Sequence, residues 1–310
     1  MLSGVGGDLA QNVINCIKKI SGENWLLGSD VNPRNSGRSF VDHFIESKLV
    51  SESDYLQWLN GVFKEFKIDC YLPLSEAEIK FFAEIDEKSF NTIFANVKFI
   101  GVNKKIINIF SDKFKTQNWL KSEGFQTPKI YPNIDSEGLI YPVIIKPRFG
   151  SGSRGVFKCR NRIELSSVLN LITEPIIQEY IGSDSDEFTL GLYASGDKIK
   201  IISFRRLLSN SGATSWAKHE VHDYFLDIGI KIAKKLQLDG SINIQLRLHE
   251  GVPYIFEINP RFSSTVFIRS ELGFNDVAWS LGDKSTLDAF DNFFDSSAEF
   301  ATYVKTVRLN

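Results

Sequence analysis

Two apolar segments near residue 250 each carry polar side chains two positions apart. Residues 241–245 read SINIQ, and residues 256–261 read FEINPR. Because side chains alternate along a strand, the polar residues of each segment share one face. A hairpin with an odd number of loop residues would place both sets on the same face of a sheet. The side chains gathered there would be Asn243, Gln245, Glu257, Asn259 and, at the end of the second strand, Arg261.

This set contains one carboxylate and three carboxamides, with no histidine or cysteine. Oxygen-only ligands suit a hard cation, above all Mg²⁺, which keeps several waters and completes its shell with phosphate oxygens. The alternative is a buried polar network that satisfies only its own hydrogen bonds. A glutamine opposite the acidic strand and an arginine two residues after Asn259 favour the metal site.

A second segment could bind an anion. Residues 143–156 read VIIKPRFGSGSRGV, so a strand leads into a glycine-serine loop with free backbone N–H groups. The loop is not a Walker loop, because no G-K-[ST] follows. A plain hairpin turn is the alternative. Lys146 on the apolar strand favours the anion site, because a buried lysine needs an anionic partner.

A third segment could recognise a nucleoside. Residues 176–190 read IIQEYIGSDSDEFTL, so an apolar strand enters a polar loop and a second strand resumes at Glu187. Such a linker can offer backbone and side-chain groups to an adenine edge, and a carboxylate to ribose hydroxyls. Taken alone, the segment is better explained as a solvated acidic loop.

The elements that must position these groups differ between the two halves of the chain. In the first hundred residues short strands alternate with amphipathic helices, which predicts βαβ units and a parallel sheet with right-handed crossovers. Gly4, Gly6 and Gly7 follow the first strand, and Asp30 ends the second, as in a dinucleotide site. The fingerprint needs a third glycine where Leu9 stands, so a tight turn into a helix is favoured.

The second half reads mainly as antiparallel strands. A helix is predicted at residues 111–124, with Ser111 or Asp112 as its cap and Gly124 at its end. A second helix is predicted at residues 221–237. Strands are predicted at residues 141–147, 156–159, 175–181, 187–195, 198–208, 241–248, 255–261 and 301–310.

Composition narrows the class of protein. The 310 residues are 43% hydrophobic and 24% charged with a net charge of -2, which argues against a general nucleic-acid or polybasic membrane surface. Cys16, Cys70 and Cys159 fit neither a disulfide framework nor a metal motif, so a reducing compartment is expected. No apolar run reaches the roughly 18 residues of a membrane helix, and no signal peptide is evident. A cytoplasmic protein is predicted.

Together, the order and spacing of these segments resemble the ATP-grasp superfamily, and within it the branch of the carbamoyl-phosphate synthetase large subunit. The motifs SINIQ and EINPR carry most of the resemblance, and the lysine strand, glycine-serine loop and IIQEYI segment add to it. The resemblance implies a mixed α/β and α+β fold. A parallel-sheet pre-ATP-grasp domain would span residues 1–110, a small nucleotide lobe 111–180, and a large catalytic lobe 181–310, with the two lobes clasping the nucleotide.

The resemblance also implies individual roles around ATP. Its phosphates would be contacted by Lys113, Lys146, Ser151, Gly152, Ser153 and Gly155. Its adenine would be contacted by Gln178, Glu179 and Ile181, and its ribose by Glu187. Mg²⁺, with Mn²⁺ as the alternative metal, would be held by Gln245, Glu257 and Asn259. Arg261 would stabilise the transferring phosphoryl group.

The reaction implied is ligation of a small-molecule carboxylate to an amine through an acyl phosphate, with ADP and phosphate as products. Arg269 is open to two interpretations, a contact with the substrate carboxylate or a surface ion pair with Glu271. A homodimer is a further expectation. A regulatory ATP-binding module and a dinucleotide-dependent enzyme are the competing hypotheses. The residues expected to contact substrate are Arg206, Ser263, Ser264, Thr265 and Arg269.

Overall fold

The N-terminal part of the computed structural model is built from short parallel strands and helices, as its sequence predicts. The structure describes residues 1–150, 152, 154–209, 212–294, 296–303 and 307. The first ten elements are β1 (Leu2–Ser3), α1 (Asp8–Ile17), β2 (Leu27–Asp30), β3 (His43–Glu46), α2 (Tyr55–Glu65), β4 (Cys70–Tyr71), α3 (Glu76–Glu84), α4 (Glu87–Ile93), β5 (Lys98–Phe99) and α5 (Lys104–Phe110).

Two small parallel sheets organise these elements. The strands β1, β2 and β3 pair in that order, and β4 pairs with β5. A single parallel bridge between Leu2 and Leu72 joins the two sheets. The β3 strand was not predicted, because residues 43–46 alternate only weakly and are at most half-buried.

The next part is a lobe with its own core. Its elements are α6 (Lys113–Ser122), β6 (Ile130–Tyr131), β7 (Val143–Pro147), β8 (Phe157–Cys159), α7 (Arg162–Leu169) and β9 (Pro175–Glu179). The antiparallel strands pair in the order β6-β9-β7-β8, and α7 adds Leu165 to the apolar cluster of their inner face. We call this sheet with α7 the small lobe.

The largest sheet is antiparallel, with strand order β14-β13-β10-β11-β12-β15. The remaining elements are β10 (Glu187–Ser195), β11 (Lys198–Leu208), β12 (Thr214–His219), α8 (Asp223–Leu236), β13 (Gly240–His249), β14 (Val252–Asn259), α9 (Val266–Glu271), α10 (Asp276–Leu281) and β15 (Glu299–Ala301). The strands predicted for β10 and β11 match to the residue. The predicted final strand overlaps β15 only at Ala301, and residues 304–306 and 308–310 lie outside the described residues.

One face of this large sheet packs on helices, and the other faces a cavity. Leu190, Ile244 and Ile258 point into the main apolar core, where α5, α6 and α8 cover the sheet. Leu120 of α6 belongs to this core, so the apolar side of α6 packs with the large sheet. The expected boundary at residue 111 therefore falls between two helices that pack together, α5 and α6.

The N-terminal part shares a second core with the helices that follow β14. Val13 and Ile17 of α1 pack with Val266 of α9 and Val277 of α10. The side-chain amide of Asn12 donates to the Ser264 carbonyl at 3.1 Å, and this contact places α1 beside the loop that follows β14. In the described part of the chain no helix is long and apolar enough to cross a membrane.

Candidate active site

The polar residues of the β13–β14 hairpin form cross-strand pairs on one face. Asn243 lies opposite Asn259, and Gln245 lies opposite Glu257. Directly opposed residues bring their Cβ atoms to within about 5.5 Å, so these four side chains form one cluster. The geometry predicted from the alternation of the two segments is therefore present.

A β-bulge extends this face in a way that alternation does not predict. Glu257 pairs with Gln245, but the next pair is Ile255 with Leu246, so Phe256 has no partner. A bulge adds one residue to one strand and reverses the alternation beyond it. As a result Tyr254, Phe256, Glu257 and Asn259 all line the same cavity, while Ile255 and Ile258 are buried in the core.

A cavity of about 460 Å³ opens between the small lobe and the large sheet. It receives most of the residues that the sequence analysis selected: Lys113, Lys146, Gly152, Gln178, Glu179, Ile181, Glu187, Arg206, Gln245, Glu257, Asn259, Arg261, Ser263 and Ser264. Gly155 adopts a φ of +70° in the turn before β8, beside Pro147 and outside the cavity wall. Ser151 and Ser153 lie outside the described residues.

Two lysines provide positive charge at one end of the cavity. Lys146 on β7 is 6% exposed, and burial lowers the pKa of its ammonium group to about 8 although the carboxylate of Glu257 raises it. Lys113 is the first residue of α6, and its Nζ donates to the Gly150 carbonyl at 2.5 Å. The predicted cap is Asp112, whose carboxylate accepts from the backbone N–H groups of residues 114 and 115. This cap fixes where α6 begins and hence the position of Lys113.

The strand β9 and the residues after it form the opposite end. Gln178 and Ile181 are buried against the cavity, and Glu179 accepts a 3.1 Å hydrogen bond from the backbone N–H of Lys129. The Tyr180 ring also lines the cavity, with the ammonium of Lys158 3.6 Å from its centroid. This end offers an apolar and aromatic wall with a few polar edges, which suits a flat heteroaromatic ring.

Glu187 reaches the cavity, but its carboxylate is already engaged. Arg206 donates to Oε1 from Nη2 at 2.8 Å and from Nε at 3.1 Å. Arg247 donates to Oε2 over the same two distances. Two guanidinium groups occupy the oxygens of Glu187 in this structure, and the ribose contact expected of it stays a prediction. No local sequence pattern indicates a role for Arg247, because its contact with Glu187 arises only when β10 pairs with β13.

Arg261 and the two serines after it form the rim next to the N-terminal part. Arg261 Nη1 donates to the Phe262 carbonyl at 2.9 Å, and Nη2 lies 3.4 Å from the Glu76 carboxylate. Ser263 and Ser264 line the cavity beside it. Thr265 does not line the cavity, and its hydroxyl lies 2.9 Å from that of Ser263.

Arg269 does not contact the cavity, and both expectations for it are wrong. It is fully buried, and its guanidinium pairs with the buried Asp276 through Nη2 at 2.5 Å and Nε at 3.0 Å. Its remaining nitrogen, Nη1, donates to the Ser263 hydroxyl at 3.1 Å. Glu271 pairs instead with Lys19, at 2.5 Å. Arg269 thus supports the serine loop from below and is not a substrate contact.

The cluster around Glu257 fits a hard cation. Asn243 is fully buried, and its amide nitrogen donates to Thr189 Oγ1 and the Leu190 carbonyl, yet within the described residues its Oδ1 accepts no hydrogen bond. A buried acceptor without a donor is costly, so a ligand at this position would satisfy it. No group of three or more His, Cys, Asp and Glu occurs among the described residues, so a metal here would depend on amide oxygens and phosphates.

Curated relatives match over part of the chain. The D-alanine–D-alanine ligase of Fusobacterium nucleatum is 30% identical over 176 residues, covering 52% of this chain and 60% of that ligase. The carbamoyl phosphate synthase large chain of Caldanaerobacter subterraneus is 26% identical over 198 residues, covering 56% of this chain and 18% of that protein. This chain therefore spans less than two thirds of either relative.

Solved structures share the fold at low sequence identity. The biotin carboxylase domain of Hydrogenobacter thermophilus 2-oxoglutarate carboxylase has a TM-score of 0.69 at 16% identity, covering 96% of this chain and 70% of that one. The L-amino acid ligase of Bacillus licheniformis has a TM-score of 0.68 at 18% identity, covering 92% and 73%. The sequence profile of the ATP-grasp domain matches residues 110–265, which is half of the chain. The match includes the strands of the small lobe and every strand of the large sheet except β15. The protein is therefore a member of the ATP-grasp domain family.

Proposed function

We propose that the protein is an ATP- and Mg²⁺-dependent ligase. It activates a small-molecule carboxylate as an acyl phosphate, releases ADP, and lets an amine displace the phosphate. The observation that carries this proposal is the cavity itself. One space is lined by two lysines of the small lobe and α6, by an oxygen-rich cluster on the large sheet, and by an arginine at the rim.

The adenine occupies the end formed by β9 and the bulged strand. Gln178, Glu179 and Ile181 supply the edge contacts, and Phe256 offers a ring face on the large-sheet side. The triphosphate then extends toward Lys146 and Lys113, with Gly152 and the turn at Gly155 above it. Backbone N–H groups of a glycine turn and two ammonium groups suit a polyanion.

Gln245, Glu257 and Asn259 would hold Mg²⁺, and Asn243 Oδ1 faces the same cluster. When bound there, the ion neutralises phosphate charge and lowers the repulsion between two anions. Glu257 is the one carboxylate of the cluster, so it contributes most of the electrostatic attraction for the ion. The amide oxygens add ligands without cancelling the positive charge that the phosphates need.

Arg261 follows Asn259 of the metal cluster by two residues and lies at the rim, where the carboxylate and the γ-phosphate would meet. Its charge stabilises negative charge that develops on the transferring group. Ser263 and Ser264 hold the acceptor side of the cavity, and positioning two bound reactants contributes a large part of the rate enhancement in such a reaction. Manganese is an alternative to magnesium because it accepts the same oxygen ligands.

The test is ADP release from MgATP in the presence of pooled amino acids and other carboxylates with pooled amines. Glu257→Gln removes the charged metal ligand and is expected to lower ADP release at least about 100-fold. Glu250→Gln is the matched control, because Glu250 lies at the exposed tip of the same hairpin and should leave the rate unchanged.

A carboxylate labelled with ¹⁸O tests the intermediate. Acyl-phosphate formation transfers one labelled oxygen from the carboxylate to the released phosphate. Release of AMP, or phosphate without label, would show that the carboxylate is activated in another way. ADP binding without turnover of any pool would favour a regulatory nucleotide-binding module over a ligase.

A further inference from the structure

Three charged side chains form a row across neighbouring strands at the nucleoside end of the cavity. Arg206 lies on β11, Glu187 on β10 and Arg247 on β13, and Glu187 and Arg247 are directly paired. Glu187 and Arg206 are each 4% exposed, and all three line the cavity. The row is thus a built part of the wall and not a surface ion pair.

The hydrogen bonds of this row fill the acceptor capacity of the carboxylate. Oε1 receives two N–H groups of Arg206, and Oε2 receives two N–H groups of Arg247. An ionised carboxylate oxygen has two lone-pair directions. Neither oxygen of Glu187 therefore keeps a lone pair for a ribose hydroxyl.

Exchanging an arginine for a ribose hydroxyl would be unfavourable. Arg206 has no other carboxylate partner among the described residues, so losing Glu187 would leave a buried guanidinium unpaired. A buried charge without its partner costs several times what one hydroxyl–carboxylate hydrogen bond contributes. The pair is therefore expected to persist when a nucleotide binds.

Arg247 extends the row to the residues after β9. Its guanidinium lies 4.9 Å from the Tyr180 ring centroid and 5.9 Å from that of Phe256, and it donates to Asp184 at 3.0 Å. Glu187 thereby fixes a cation that touches both aromatic rings of the adenine end. Its carboxylate acts on the nucleotide through these arginines.

We infer that Glu187 is a positioning residue that clamps Arg206 and Arg247 against the cavity, and that it does not accept hydrogen bonds from the ribose. This inference rests on the proposed nucleotide site. Removing Arg206 would leave Oε1 of Glu187 without its donor. A variant without Arg206 therefore gains selectivity for the ribose hydroxyls, because one of them can donate to this oxygen.

The experiment compares the dissociation constants of MgADP, Mg-2′-deoxy-ADP and Mg-3′-deoxy-ADP by calorimetry. We define ribose selectivity as the ratio of the weaker deoxy constant to the ADP constant. In Glu187→Gln the three constants change by the same factor, so selectivity stays within about twofold of the wild type. In Arg206→Met selectivity rises about tenfold, the value of one hydrogen bond to a charged acceptor.

Arg205→Met is the matched control. Arg205 is the adjacent residue on the other face of β11, where it pairs with Glu220 at 3.1 Å, so its removal leaves selectivity unchanged. A fivefold or greater loss of selectivity in Glu187→Gln overturns the inference. If that variant does not fold, Arg206→Met decides alone, since selectivity equal to the wild type contradicts it. Failure of the wild-type protein to bind MgADP would instead refute the proposed function.

Discussion

Lys146 shows how one buried side chain can link nucleotide binding to pH. Its ammonium lies in the wall of the cavity, where burial disfavours the charged form and Lys113 and Arg247 add repulsion. Among the described residues, the carboxylate of Glu257 and, less strongly, that of Glu187 favour the charge. A nucleotide phosphate would supply the anionic partner that a buried lysine lacks.

Because the pKa of Lys146 is lowered to about 8, the ammonium loses its proton within an accessible pH range. We predict that the dissociation constant of MgADP rises about tenfold between pH 7 and pH 9, since phosphate binding requires the protonated form. Calorimetry across this range measures it. In Lys146→Arg the side chain stays charged, so the curve should be flat; an equal rise in that variant would assign the effect to another group.

The residue scale also shows what the sequence could and could not predict about the site. Asn243, Gln245, Glu257 and Asn259 were predictable as one cluster because strand alternation and a hairpin suffice to bring them together. The burial of Arg269 was not, because its partner Asp276 lies beyond a helix and a turn whose packing no local pattern encodes. The sequence likewise does not predict the pairing of Arg206 with Glu187, because the spacing of the two residues along the chain does not indicate the contact.

At the scale of elements, α8 shows how closely a helix packs on the large sheet. Gly229 in this helix faces β11, and a Cβ built there would lie 2.6 Å and 3.0 Å from two side-chain carbons of Ile201, which is 1% exposed. Gly61 in α2 has no heavy atom within 4 Å of the same position and is exposed. The two glycines therefore differ in packing while sharing helical backbone.

We predict opposite effects of alanine at these two positions. Gly229→Ala should lower the free energy of unfolding by about 1–3 kcal/mol, because the added methyl overpacks the interface of α8 with the sheet. Gly61→Ala should raise it by up to about 1 kcal/mol, because alanine is the better helix former and meets no neighbour. Denaturant titration measures both. A stabilised Gly229→Ala would show that α8 can shift on the sheet at little cost.

Elements with a strong pattern were predictable, and those that depend on partners were not. The bounds of β10 and β11 follow from regular alternation between turn residues. The strand β12 and the helices α9 and α10 were not predicted, because each is short. Their apolar residues are buried only by packing against other parts of the chain. The bulge at Phe256 likewise depends on the strand opposite.

At the scale of the whole molecule, the apolar cores group the elements differently from the three domains that the sequence resemblance implies. Leu2 and Val13 share one core with Val266 of α9, and Ile79 and Ile106 share another with the large sheet, so the N-terminal part is joined to the large sheet and its helices by buried contacts. The core of the small lobe draws only on residues between 131 and 177. One wall of the cavity therefore belongs to a unit that can move with little loss of apolar burial.

This division predicts two levels of local stability. Amides of α5 and β13 should exchange with solvent through one shared opening of high free energy, because unfolding either exposes the common core. Amides of β7 and β9 should exchange through a separate opening of lower free energy. Hydrogen exchange by mass spectrometry at increasing denaturant measures these free energies. Exchange of α5 at the level of β7 would mean that the N-terminal part unfolds independently.

The bulge at Phe256 has a consequence in genetic terms. On one side of it Glu257 and Asn259 face the cavity, and on the other side Tyr254 and Phe256 do so. Loss of that one codon would restore regular pairing and leave Tyr254 facing the cavity and Ile255 facing the core, because Tyr254 keeps Arg247 and Ile255 keeps Leu246 as its partner. A one-codon deletion is therefore an inherited change that would remove the ring of Phe256 from this wall and leave its neighbours on their present faces.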